Sequence, residues 1–117
     1  MSLLKIKRIY EEAEEADGYR ILVDRLWPRG IKKEAAQIDT WLKDIAPSSN
    51  LRKWFCHDPG KFADFKVRYL EELKTDPDKQ EAVKFVMDKL SETDVTFVYA
   101  AKDPIYNHVT VLKAFFN

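Results

Sequence analysis

Val95-Thr96-Phe97-Val98-Tyr99-Ala100-Ala101 constrains this chain more than any other segment. Its only polar groups are the Thr96 and Tyr99 hydroxyls, and β-branched and aromatic residues dominate it, which suits a strand. A strand that is apolar on both faces needs cover on both sides. That is the situation of a central strand in a parallel sheet.

The other segments supply the cover. Leu4 to Ile9 alternates apolar and basic residues, as a half-buried strand does, and Tyr19 to Asp24 reads as a second strand centred on Ile21, Leu22 and Val23. Glu11 to Asp17 reads as an acidic, solvated connector closed by an Asp17-Gly18 turn. Ala35, Ile38, Leu42 and Ile45 recur at helical spacing beside Trp41, which predicts a helix ended by Pro47. Ser48 or Ser49 can cap a short helix holding Leu51, Trp54 and Phe55. Phe62, Phe65, Tyr69 and Leu73 form the stripe of a longer helix from about Pro59. Ala82, Val83, Val86 and Leu90 do the same within Pro77 to Glu92, and residues 105–116 close the chain as a helix. The Asp-Pro steps at Asp58, Asp76 and Asp103 each precede a helical pattern, with Asp placed to cap and Pro tolerated at the first helical position. The expected fold is α/β: a small, mainly parallel sheet of about three strands covered by about five helices, in a single layered domain over residues 1–117.

Charge and cysteine content narrow the function classes. Twenty basic residues balance twenty acidic ones, so duplex nucleic acid and anionic membranes are not the expected partners. A nucleic-acid surface would have to use Lys5, Lys7, Arg8, Lys32 and Lys33. The single Cys56 excludes an intrachain disulfide, reads as a small buried hydrophobe, and fits a reducing cytoplasm. No apolar run reaches the roughly 18 residues of a membrane span, and no signal-peptide core is visible at the N-terminus. The three glycines form no phosphate-binding loop, no ligand spacing marks a metal site, and no cofactor is expected.

Three polar clusters are left as candidates. In Asp24-Arg25-Leu26-Trp27-Pro28-Arg29-Gly30, Arg25 and Arg29 carry planar donor forks suited to carboxylate or phosphate, and Trp27 offers a stacking face. The competing reading pairs Asp24 with an arginine and packs Trp27 as core, which its size favours. In the second cluster, His57 could act as general acid or base with Arg52 holding an anion, while Asp58 has a ready use as a helix cap. In the third, Lys102 would add charge, and Asn107 and His108 could orient or protonate a ligand, or else sit on a solvated first helical turn. The first and third clusters leave apolar strands, so both belong at the carboxyl end of the sheet, where open α/β sheets bind ligands.

These same strings carry a family resemblance. Val23 to Gly30, Trp41 to Ser48, Leu51 to Phe55 with His57-Asp58-Pro59, and Val98 to Asp103 with Asn107-His108 resemble the short, YeaO-like branch of the domain-of-unknown-function 488 family across nearly the whole chain. The resemblance implies a cytoplasmic α/β protein without an established reaction. Some longer relatives carry Cys-His-Arg at the start of the last helix, where this chain has Asn107-His108-Val109. A thiol mechanism therefore does not carry over.

The expectation is one anion pocket for a small phosphorylated or carboxylated ligand. Arg25, Arg29 and Lys102 would bind it with help from Arg52 and Trp27, and His108 or His57 would transfer protons if there is chemistry. Asn107 or Asp24 would orient it. The rival expectation is a non-catalytic sensing or regulatory module using the same pocket. A homo-oligomer is compatible with either.

Overall fold

The computed structural model describes residues 2–103 and 105–116. Its strands are β1 (Leu4–Arg8), β2 (Tyr19–Leu22), β3 (Thr40–Trp41) and β4 (Val95–Tyr99). The helices are α1 (Lys33–Ala36), α2 (Ser49–Phe55), α3 (Phe62–Thr75), α4 (Pro77–Leu90) and α5 (His108–Phe116), with 3-10 turns at Glu15–Asp17, Lys43–Ile45 and Pro59–Lys61. The architecture is α/β, and the parallel sheet has four strands rather than three, ordered β1-β4-β2-β3. Every residue of β4 is buried, and the strand lies between its neighbours with Leu4 opposite Val95 on one side and Tyr19 opposite Val95 on the other. Among the described residues no helix is long and apolar enough to cross a membrane.

The two faces of the sheet are covered unequally. Ile21, Val23, Phe97 and Tyr99 pack with Leu51, Phe65, Tyr69, Val86 and Leu112 from the long helices. Leu22 and Val98, one residue out of phase, face the smaller cluster of Ile9, Ala36, Trp27, Ile31, Ile38 and Trp41. α2 begins at the expected serine: Ser48 Oγ accepts from Leu51 N–H. Asp76 caps α4 by accepting from Asp78 N–H, and Asp58 caps the 3-10 turn before α3 by accepting from Gly60 N–H.

Four expectations need correction. Residues 35–45 are not one helix. α1 ends after four residues because Gln37 adopts a left-handed φ of 50°, and Thr40 and Trp41 pair with Ile21 and Leu22 as the edge strand β3. The last helix starts at His108 rather than at 105; Asn107 caps it, and Asp103 instead accepts from Ile105 and Tyr106 N–H in the turn before it. Pro104, expected at the first helical position, lies outside the described residues. Cys56 is exposed, at a left-handed φ of 45° just past α2.

The fourth correction concerns the acidic connector, whose last residue is buried rather than solvated. Asp17 Oδ2 accepts from Arg20 Nη1 at 2.6 Å and from Glu14 N–H, while Oδ1 accepts from Lys7 Nζ at 3.0 Å. Burial opposes ionisation of this carboxyl, but the Glu14 N–H and the Lys7 and Arg20 cations outweigh it and hold its pKa below the ordinary aspartate value. Asp17 stability is therefore present above about pH 4 and is lost as pH falls through the lower folded-state pKa. Asp17→Asn, which leaves two cations undercompensated, should cost about 3 kcal/mol at neutral pH in urea unfolding, and the mutant should lose less further stability on acidification than the parent.

The turn beside Asp17 is equally constrained. Gly18 has φ 67°, and a Cβ there would collide with the Asp94 carbonyl, coming 2.9 Å from its carbon, while Asp94 O accepts from Tyr19 N–H to align β2 with β4. Gly18→Ala should cost about 2–3 kcal/mol and lower the thermal midpoint by roughly 10 °C, read by calorimetry.

Candidate functional site

The site forms where β2 and β4 end and the chain leaves to opposite sides of the sheet. After β2 it runs to α1 on the thinly covered face, and after β4 it runs to α5 on the heavily covered face. Adjacent strands whose continuations diverge leave a crevice at their carboxyl ends.

Asp24 spans that crevice. Its carbonyl accepts from Trp41 Nε1 at 2.7 Å, and its Oδ2 accepts from Ala100 N–H at 3.0 Å, tying the end of β2 to the end of β4. Its Oδ1 is buried and lies 3.3 Å from His108 Nε2. That nitrogen is also 3.0 Å from the Val23 carbonyl. A carbonyl oxygen only accepts, so Nε2 carries the hydrogen, and Nδ1 is the nitrogen left without a hydrogen bond among the described residues. The Asp24–arginine pair considered from the sequence does not form; the histidine takes that place.

Arg25 is built into the opposite wall. Its Nε donates to Pro47 O at 3.0 Å and its Nη2 to Ala46 O at 3.3 Å, leaving Nη1 with no hydrogen bond among the described residues. The two preceding carbonyls are held as well: Tyr69 Oη donates to Ile45 O at 2.7 Å and Lys79 Nζ to Asp44 O at 3.2 Å. Glu72 then accepts from both the N–H and the hydroxyl of Ser48. Burial, and then the nearby Arg25 charge, push the Lys79 pKa down, while burial pushes the Tyr69 phenol well up. Residues 44–48 are thus a backbone strap pinned from three directions.

A cavity of about 580 Å³ lies against these groups. Its polar lining comprises Asp24, Arg25, Arg52, His57, Lys102, Asp103 and His108, and its apolar lining includes Leu26, Ala46, Pro47, Phe55, Phe65, Ala100 and Ala101. Arg52, His57 and Lys102 are exposed, and their side chains make no ion pair or hydrogen bond among the described residues. His57 follows Cys56 in a second consecutive left-handed conformation, φ 56°, and its ring centroid lies 6.1 Å from that of Phe55. The Asp103 pKa is lowered by the Tyr106 and Ile105 N–H groups.

Three of the proposed ligand contacts do not line this cavity. Trp27 packs edge-on against Trp41, with its indole N–H donating to Ile31 O at 2.7 Å, which is the core reading. Arg29 is exposed outside the lining. Asn107 is buried; its Oδ1 accepts from Thr110 N–H and its Nδ2 donates to Asp103 O, so it positions the start of α5. Of the basic residues considered for nucleic acid, Lys7 pairs with Glu14 and Asp17, and Arg8 donates to the Ala100 and Ala101 carbonyls. Asp24 and His108 come closest to a metal-ligand pair, and among the described residues no cluster of three such ligands forms.

Sequence reasoning missed Phe55, Phe65, Tyr69, Glu72 and Lys79. Two of them left a trace. Lys79 falls on the apolar stripe of Ala82, Val83, Val86 and Leu90, and Tyr69 lies within that of Phe62, Phe65 and Leu73. A lysine or tyrosine on a core stripe needs an internal partner for its polar end.

The family model described as the inactive DUF488-N3 subclade matches residues 3–117. The chain is similar to the uncharacterized protein YeaO of Escherichia coli K12, 44% identical over 109 residues that span 93% of this chain and 92% of that one. It is 38% identical over 114 residues to the uncharacterized protein Rv3073c of Mycobacterium tuberculosis H37Rv, covering 97% of this chain and 93% of the relative. The uncharacterized protein Mb3100c of Mycobacterium bovis matches to the same extent. No solved structure gives a significant match. A match along almost the full length makes this chain a member of the DUF488-N3i family.

Proposed function

We propose that this protein binds a small anionic ligand at the carboxyl end of its sheet and does not turn it over. The observation that carries this reading is the convergence of Arg25, Arg52 and Lys102 on one cavity, with His57 on the same lining. Arg25 is held in place by two backbone carbonyls, so its remaining edge is oriented before a ligand arrives. Each carboxylate of the lining is held through one oxygen by backbone N–H donors, and the three cations Arg25, Arg52 and Lys102 outnumber the two carboxylates. Among the described residues the lining has no hydroxyl or thiol to serve as a nucleophile, and the description of the family as inactive favours the same side.

A second reading rests on the Asp24–His108 pair. Nε2–H directed at Val23 O and Asp24 Oδ1 would leave Nδ1 as a general base toward a bound substrate. The two readings separate by turnover. Titration calorimetry with inorganic phosphate and with acetate should give saturable binding. Arg52→Ala and Lys102→Ala should each weaken it about 5-fold with an unchanged thermal midpoint, since both side chains are exposed. No saturable binding, or a double variant that binds like the parent, would overturn the proposal. Turnover of any phosphate or carboxylate ester that His108→Gln abolishes would replace it with the second reading.

A further inference from the structure

Resting on that binding reading, we propose that the ligand is amphiphilic: a carboxylate or phosphate ester group on an apolar body, and not a sugar phosphate or other polyol. The cavity wall restricts which polar groups a ligand can present to it. Its cations donate hydrogen bonds and accept none. Four of its backbone carbonyls are taken by arginines, those of Ala46 and Pro47 by Arg25 and those of Ala100 and Ala101 by Arg8. Asp24 gives one oxygen to Ala100 N–H and buries the other 3.3 Å from His108 Nε2, and Asp103 spends Oδ1 on two N–H groups, so among the described residues the side-chain acceptors left on the wall are Asp103 Oδ2, His108 Nδ1 and one nitrogen of His57. Among the described residues no serine, threonine, tyrosine, asparagine or glutamine lines the cavity.

A ligand with several hydroxyl groups would bury O–H donors against this wall with few acceptors to meet them, and each such mismatch opposes binding. A carboxylate or phosphate has the opposite character, because its oxygens only accept from the arginine and lysine donors. Phe55 and Phe65, whose rings stack at 4.2 Å between centroids, supply an apolar floor. Leu26, 62% exposed at the mouth, extends the apolar surface outward. An apolar body therefore gains contact where a polyol gains none.

Titration calorimetry on the full chain, with phenyl phosphate, benzoate, glucose 6-phosphate and inorganic phosphate, tests this. Phenyl phosphate should bind about tenfold more tightly than either glucose 6-phosphate or inorganic phosphate. Leu26→Asn should shrink that ratio by weakening phenyl phosphate more than inorganic phosphate; the residue is exposed, so the fold is not at risk. Benzoate against phenyl phosphate then tells which head group the cations prefer, and tight binding of either supports the proposal. Glucose 6-phosphate binding as tightly as phenyl phosphate would overturn the amphiphile while leaving the anion pocket standing. Binding of none of the four would overturn both.

Discussion

The hydrogen bond from Ala100 N–H to the Asp24 carboxylate is the constraint on which the carboxyl end of the sheet depends. Parallel pairing of β2 and β4 stops at the strand ends, and from there the two chain directions separate to opposite faces of the sheet. Asp24 continues the pairing with a side chain where the backbone can no longer do so. His108 adds a second tie from the start of α5 back to Val23 O. A divergence that would otherwise expose unpaired backbone groups becomes a crevice with a fixed floor.

The opposite wall is fixed by a different device. Asp44 to Pro47 is irregular backbone against the core, and its carbonyls would be costly to bury unpaired. Lys79, Tyr69 and Arg25 satisfy these four carbonyls, and Glu72 takes the next N–H. This explains how a lysine comes to be buried beside an arginine. Its desolvation is offset by closing an acceptor that no helix or strand could reach. It also gives Arg25 two duties that cannot be separated by mutation, holding the strap and facing the cavity. The exposed Arg52 and Lys102 carry only the second.

The sequence made some of this legible and hid the rest for identifiable reasons. The central position of β4 follows from Val95 to Tyr99, because burial on both faces leaves no polar side to the strand. The α3 and α4 stripes were equally readable. Residues 35–45 misled because their apolar spacing fits a helix, whereas Leu22 O, which accepts from Leu42 N–H, and the Asp39 carboxylate, which accepts from Arg20 N–H, hold that segment along β2. Such pairing is tertiary and leaves no periodic mark in so short a strand. At the site, loop membership did not decide which side chains reach the cavity. Arg25 and Trp27 leave the same strand two residues apart, yet one meets the strap and the other packs against Trp41 under the far face.

The start of α5 is built from structural residues on either side of the one that faces the cavity. Here Asn107 is 1% exposed and spends its amide on Thr110 N–H and Asp103 O, and Val109 is fully buried in the main core. Both residues are structural: one winds the loop onto the helix and the other anchors the helix to the sheet. His108, between them, is the residue of the three that lines the cavity, and its Nε2 is committed to the ends of β2. What the start of α5 presents to the cavity is thus a single imidazole, set among the cations of the surrounding loops.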